Sequence, residues 1–304
     1  MSSQEVLPLS TAAKIASNAI QPSTPNSYHD AIELSQATHR INLLNTTTWS
    51  SHFRRQGSRI LEIGCGQGTC TQVLAEAVGP SGHIDAVDPA PLDYGAPFTL
   101  GQAQSHLSSG PLGSHISWHQ ADPVAFLTAS SPETKWDVAV LAHCIWYFKS
   151  PSALTKILEA LNGRVTGAVC VAEYALHATE TAAAPHVLAT LARSTFEAHR
   201  ADSTENIQTV LSPAAIKEIA AAAGWKLAGE DTVIPERGLS DGQWEAMSVV
   251  ASDFVSTVDK EILDERVKAV LTSARDATIA AVEGVGGMKE VRTMDVWVAA
   301  LVQE

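Results

Sequence analysis

The chain has 304 residues, 45% of them hydrophobic and 17% charged, enough for one large domain or a domain plus a cap and far from a disordered composition. A formal net charge of −13, with no local cluster of Lys and Arg, excludes a nucleic-acid backbone as partner and leaves a small uncharged or cationic acceptor compatible. No run of about 18 apolar residues occurs, so neither a membrane span nor a membrane partner is expected.

Residues up to about Pro25 are polar, lack the apolar stretch of a signal peptide, and are expected to be partly ordered at best. A helix is predicted from Ser27 to Trp49, with Ile32, Leu34, Ile41, Leu43 and Leu44 on an approximate apolar face. Strand one, Arg59 to Ile63, runs through Glu62 into Gly64-Cys65-Gly66-Gln67-Gly68, and a helix follows from Thr69 to Val78. The breaker cluster Gly79-Pro80-Ser81-Gly82 ends that helix, and strand two, His83 to Val87, ends in Asp88-Pro89. The stretch from Pro89 to Pro97 is too rich in proline and glycine for a helix, so a short helix begins only near Thr99 and ends near Ser108.

Strand three, His115 to His119, precedes Ala121-Asp122-Pro123 and a helix around Val124 to Thr128. Strand four, Trp136 to Leu141, is nearly continuous in apolar residues, as a buried parallel strand requires. A helix from Ser152 to Leu161 leads to strand five, Val165 to Glu173; a helix from Pro213 to Ala223, strand six from Trp225 to Ile234 and strand seven from Val291 to Val302 complete the plan. Strands alternating with helices imply an α/β fold, a doubly wound, mostly parallel sheet of seven strands with its ligand at their carboxyl ends. Two insertions interrupt it: Ala175 to Leu211, with a helix through His186 to His199, and the helical stretch Asp241 to Val282. The expected division is therefore an N-terminal segment and lid helix over 1–50, a core over 51–174, a helical lid insertion over 175–212, and the rest of the core over 213–304 with its own insertion at about 240–285. A lid is favoured over a dimer contact, and the chain is expected to be a monomer or homodimer.

The glycine turn is the most informative feature. Glycine at every second position permits a sharp strand-to-helix turn and leaves no side chain between backbone and ligand. The dinucleotide pattern G-x-G-x-x-G fails, because Thr69 stands where its third glycine belongs. Asp88 lies 20 positions past Gly68, the spacing at which a strand-end carboxylate accepts hydrogen bonds from ribose hydroxyls; its other reading is a helix cap.

The run from Glu62 to Gly68 together with Asp88 resembles the cofactor motifs of the class I S-adenosylmethionine (SAM) methyltransferases. The resemblance covers roughly Arg59 to Glu173 and the last strand, and implies that strand seven inserts antiparallel between strands five and six. It also implies that the Gly64 to Gly68 backbone, Cys65 included, faces the amino-acid end of SAM, that Glu62 orients the loop and reaches the ammonium, that Asp88 holds the ribose and that Pro89 lies against the adenine. Asp122 would accept from the adenine amino group, or cap the helix beginning at Pro123; the two roles can coexist.

The segment after strand four, from Ala142 to Phe148, lines the methyl-donor end in that family. His143 there is either a general base for the acceptor or a cofactor-binding and capping group. Trp146, Tyr147 and Phe148 wall an acceptor pocket or fill core, and Cys144 is a reactive thiol or an inert small hydrophobe. His29, His39, His177, His186 and His199, with Arg40, Arg193 and Arg200, fall in the supposed lid and read mostly as solvated surface; Tyr28 and His39 are the candidates for lid contacts to cofactor or acceptor.

Cys65, Cys70, Cys144 and Cys170 form no C-x-x-C pair, as in a reducing compartment, and a cytoplasmic location is expected. No metal constellation is evident. The segments from Asp88 to Gly95 and from Thr99 to Gln104 resemble fungal methyltransferase-domain proteins, many of them associated with secondary metabolism. The resemblance implies a SAM-dependent methyltransferase acting on a small-molecule O, N or S nucleophile and releasing S-adenosylhomocysteine. A SAM-pocket protein that does not methylate, either a regulatory module or a rearrangement or cyclisation enzyme, is the alternative.

Overall fold

The computed structural model describes residues 5–24, 26–53, 55–200, 203 and 205–303. In chain order the elements are α1 (Thr11–Ser17), α2 (Ser27–Leu44), α3 (Thr47–Ser50), β1 (Arg59–Ile63), α4 (Thr69–Val78), β2 (His83–Asp88), α5 (Leu100–Ser108), β3 (Ile116–Gln120), α6 (Pro123–Ala129), β4 (Trp136–Ala142) and α7 (Pro151–Leu161). There follow β5 (Val165–Tyr174), α8 (Ala184–Glu197), α9 (Pro213–Ala222), β6 (Trp225–Val233), α10 (Asp241–Val250), α11 (Ser252–Glu261), α12 (Glu265–Gly284) and β7 (Val296–Gln303).

Among the described residues seven strands form one sheet in the order β3-β2-β1-β4-β5-β7-β6. All neighbours up to β5 pair parallel, and β7 runs antiparallel to both β5 and β6. This is the doubly wound α/β sheet expected, with the last strand internal. Its run of buried side chains from Val296 to Leu301 has protein on both faces, which is why it reads as continuously apolar rather than alternating.

Strand residues alternate between two cores. Ile60, Ile84, Val138, Val140 and Val298 face α1 to α4, where Ile15, Ile41, Leu44, Trp49 and Val73 meet them. Leu61, Ile63, Leu141, Val169 and Val171 face α6, α7 and α9, against Leu127, Leu154, Leu158 and Ile216. A third core lies in the insertions: Ala189, Ala192 and Phe196 of α8 pack with Ala246, Val249, Phe254, Val258 and Leu271 of α10, α11 and α12. The two insertions, far apart in sequence, thus bury each other's apolar faces.

Several boundaries depart from expectation. The N-terminal segment carries α1, held by buried Leu7, Ala12 and Ile15 and by Asn45, whose side chain accepts from Val6 and Leu7 N–H and donates to the Leu7 carbonyl. The helix predicted over Ser27 to Trp49 breaks at Asn45, and Thr46 caps a second short helix. The stretch Asp241 to Val282 is three helices, the last capped by Asp264 accepting from Arg266 and Val267 N–H. Strand seven starts at Val296 rather than Val291, because buried Asp295 is occupied as a clasp: its carboxylate accepts from His177 Nδ1 at 2.8 Å and Thr179 Oγ1 at 2.6 Å, fixing the root of the first insertion.

Candidate functional site

Strand register sets one row of residues across the carboxyl ends of the sheet. Ile63 is level with Val87 and with Leu141, and Leu141 with Val171, so Gly64 and Asp88 emerge level with Ala142 and Ala172, and His143 and Glu173 follow one residue beyond. Gly64 has φ +76° and a Cβ there would run into the Cys144 side chain; Gly68 has φ +96° and a Cβ would lie 2.6 Å from the Trp118 ring. Both positions therefore require glycine.

Asp88 organises the turn. Its Oδ2 accepts from Gly66 N–H at 2.8 Å and its Oδ1 from Ala90 N–H at 2.9 Å, and an ionised carboxylate with about four lone-pair sites keeps capacity for two more donors. Glu62 lies buried beneath the loop and accepts from Thr71 Oγ1 at 2.6 Å; burial raises its carboxyl to about 7 against that hydrogen bond. Pro89 is exposed just beyond Asp88. Exposed Asp122 caps α6 through a 2.9 Å bond from Ala125 N–H, and the neighbouring Ala121 N–H donates to the Asp88 carbonyl, so the capping role is occupied and the carboxylate stands beside the Asp88 edge.

Across this row lies one face of α2. Gln36, His39 and Arg40 stand at i, i+3 and i+4, the spacing that puts side chains on one helical face. Gln36 donates to Asp241 Oδ1 at the start of α10, and His39 Nε2 meets His143 Nε2 at 3.0 Å. Arg40 turns inward, its Nε and Nη1 buried without a hydrogen-bond partner among the described residues. Its charge helps hold the Glu62 and Glu173 carboxyls down, against the burial that raises each to about 7. Burial first, and then Arg40, keep His39 and His143 well below the ordinary imidazole range, so both are neutral at pH 7. Reading Arg40 and His186 as solvated surface is thus corrected: His186 is fully buried, and Arg40 has its Nε and Nη1 buried; His39, the candidate lid contact, is buried too. Nothing local marked His39 and Arg40, because Asp30, Glu33, Ser35 and Asn42 make the rest of α2 polar as well.

This end of the sheet thus gathers a guanidinium with buried, unpartnered donors, a glycine turn and a strand-end carboxylate with open lone pairs, the kinds of group a charged nucleoside needs. Comparison with known proteins agrees: residues 33–229 match the family described as the methyltransferase domain. The chain is a class I SAM-dependent methyltransferase family member. It is similar to two methyltransferases of Diaporthe leptostromiformis, phomM′ and phomM, at 30% and 32% identity, over 83% of this chain and 75% of each relative. Among solved structures it resembles a cyclopropane-fatty-acyl-phospholipid synthase-like protein from Lactobacillus casei, with a TM-score of 0.82 and 26% identity over 97% of this chain and all of the other.

In this methyltransferase the residues suggested for the acceptor divide. His39 joins the site. Trp146 is buried as a strut, its Nε1 donating to the Leu211 carbonyl at 3.0 Å and its own carbonyl accepting from Gln208 and Thr209 N–H. Tyr147, about half exposed, lies on the outer side of that turn. Tyr28 is 59% exposed in the first turn of α2, about 16 Å along the helix from His39, and the structure does not bring it to the others. Cys144 is buried against Gly64, and burial pushes its thiol well up, so it acts as a small hydrophobe.

The inner wall is Tyr174, whose ring packs on His143, Trp146 and His186 and whose hydroxyl donates to Asp241 Oδ2 at 2.7 Å. His186 Nδ1 accepts from Met294 N–H, which places its proton on Nε2, buried without a partner among the described residues. Burial pushes this imidazole down to about 3, so it stays a neutral donor. Among the described residues no group of three or more His, Cys, Asp or Glu side chains is arranged to hold a metal, and no helix is long and apolar enough to cross a membrane.

Proposed function

We propose that this chain binds SAM across the row from Gly64 to Glu173 and directs methyl transfer to an O, N or S nucleophile of a small molecule, within the secondary-metabolite chemistry that its fungal relatives suggest. The observation that carries the reading is the pair of buried, unpartnered Arg40 donors in the field of Glu62, the carboxylate just before the glycine turn that Asp88 organises. Bound there, SAM supplies an activated methyl group that a nucleophile displaces in line, its electron pair forming the new bond while the sulfur–carbon pair stays on sulfur to give S-adenosylhomocysteine.

The residues present fit this ligand. Arg40 Nε and Nη1 are open donors on two edges of one guanidinium, whose charge suits the cofactor's carboxylate, and Asp88 keeps lone pairs for two ribose hydroxyls. The Gly64 to Gly66 backbone and Glu62 serve the ammonium end, Pro89 the adenine face and Asp122 the adenine amino group. Catalysis consists largely of placement: the two insertions, packed on each other, and α2, tied to the second of them through Asp241, close over the sheet edge as a lid and hold the acceptor against the methyl group. The name of the Lactobacillus casei protein points to an acyl chain, whereas His39, His143, Glu173 and Asp241 here favour a polar acceptor.

Calorimetric titration with SAM, S-adenosylhomocysteine and NAD tests the assignment. Saturable binding of the first two, weakened in Asp88→Ala, is expected; a preference for NAD, or no SAM binding, overturns it.

A further inference from the structure

Two buried imidazoles meet behind the glycine turn. His39 Nε2 and His143 Nε2 are 3.0 Å apart, a separation that requires one hydrogen between them, donated by one ring and accepted by the other. The Nδ1 atoms of both rings are buried without a hydrogen-bond partner among the described residues. His143 Nδ1 faces Glu173 Oε1 at 3.7 Å, close enough that a small side-chain rotation makes the bond. His143 is itself held at φ +54°, its backbone N–H bonded to the Ala172 carbonyl at 2.8 Å, so its ring direction is imposed by the sheet.

Tautomers follow from charge. With Glu173 ionised, the second proton of the pair belongs on His143 Nδ1, facing the carboxylate; His143 Nε2 must then accept, His39 Nε2 donates, and His39 Nδ1 is a bare lone pair. With Glu173 protonated its O–H donates to His143 Nδ1, the order inverts, and His39 Nδ1 carries hydrogen. One proton entering at His39 Nδ1 therefore delivers one to Glu173, through one ring-to-ring transfer and one ring-to-carboxylate transfer, without an imidazolium at rest in either state.

We propose that His39 Nδ1 takes the acceptor's proton and that His143 and Glu173 relay it inward, so the acceptor class is a hydroxyl or protonated amine that must shed a proton rather than a nucleophile with none to lose. This rests on the methyl-transfer reading. The proton balance closes: the acceptor loses H⁺ to His39 Nδ1, the His39 Nε2 proton passes to His143 Nε2, and the His143 Nδ1 proton passes to Glu173, which becomes neutral.

The surroundings suit such a relay. Arg40, on the same helix as His39, opposes a cation on either ring. Glu173 accepts from Ile145 and Tyr174 N–H, and burial brings it to about 7, where one proton is readily gained or lost. Glu62 on β1, Asp88 on β2, Cys144 after β4, Tyr174 on β5, Asp241 on α10 and His186 on α8 are the other titratable groups around this cluster.

Long-range proton–nitrogen magnetic resonance of the full chain, labelled with ¹⁵N-histidine and assigned with His39→Gln and His143→Gln, tests the relay without cofactor or acceptor. Above a midpoint near 7, His39 is expected with Nδ1 bare and His143 with Nδ1–H; below it the two rings exchange tautomers together. Glu173→Gln abolishes the exchange. Arg40→Met, which removes the charge favouring ionised Glu173, raises the shared midpoint for both rings equally and keeps the test usable where the glutamine variant does not fold. A single fixed tautomer throughout, imidazolium formation at either ring with its own midpoint, or exchange that persists in Glu173→Gln overturns the proposal. Failure of SAM binding in calorimetry is a separate result that would leave these tautomers unchanged.

Discussion

Replacing Arg40 by glutamine removes a charged fork whose Nε and Nη1 lie buried and unmatched among the described residues, in the shared field of Glu62 and Glu173. If the fork receives the carboxylate of S-adenosylhomocysteine, the variant loses charge-assisted hydrogen bonds worth about 1.5–3 kcal/mol in a buried setting. At about 1.4 kcal/mol per decade, that corresponds to a loss of roughly 10- to 150-fold in affinity. Calorimetry against S-adenosylhomocysteine reads the loss, and 5′-methylthioadenosine is the control because it keeps the adenosine but has no carboxylate. Affinity for the control should be nearly unchanged. The melting temperature of the protein without ligand should hold or rise, since a desolvated charge without hydrogen bonds is a cost to folding. Equal losses for both ligands, or a fall in melting temperature with no ligand-specific effect, would refute the carboxylate role and make Arg40 a structural residue.

Gly64→Ala forces a left-handed φ of +76° on a Cβ that meets Cys144, and should cost about 1–3 kcal/mol in urea unfolding and weaken SAM binding; an unchanged midpoint would show that the turn relaxes. Asp122→Ser keeps a capping oxygen for Ala125 N–H, so its melting temperature should hold while affinity for S-adenosylhomocysteine drops several-fold; unchanged affinity would leave only the cap. The Glu173 carboxyl is raised to about 7 in the fold, above its usual 4.5, so its contribution is fully present below about 4.5 and lost as pH rises through 7. The stability of Glu173→Gln relative to the natural chain should therefore climb by up to roughly 3 kcal/mol across that window, whatever the constant offset from its backbone partners. Buried neutral His39, His143 and His186 act in the opposite direction, so the difference between the two proteins is the quantity to measure, and a flat difference would refute the burial argument.

Much of this architecture was legible in the chain. Glycines at 64, 66 and 68, an apolar strand on either side and a carboxylate 20 residues on are local features, and local features place β1, α4 and β2 within a residue of expectation. The strand-four and strand-seven runs are buried on both faces and announce themselves by composition. What was hidden depends on pairings between distant segments. Leu7, Ala12 and Ile15 are too few to mark α1 until Asn45 receives the chain that precedes it. Trp146 reads equally as pocket wall or strut until the Leu211 carbonyl is found above it. His39 and Arg40 look like the polar face of an exposed helix, and only the packing of α2 across the sheet edge turns them inward to His143 and Glu62. Asp122 is seen in its capping role, with the adenine role resting on where its carboxylate stands.

The most direct test of SAM binding at this edge is a crystal structure of the full chain grown with S-adenosylhomocysteine. The expected result has the ribose hydroxyls on Asp88, the carboxylate on the Arg40 fork, the adenine between Pro89 and Asp122, and the sulfur directed toward the His39–His143 pair. A ligand bound away from the Gly64 to Gly68 turn, or with its carboxylate turned from Arg40 into solvent, would contradict it.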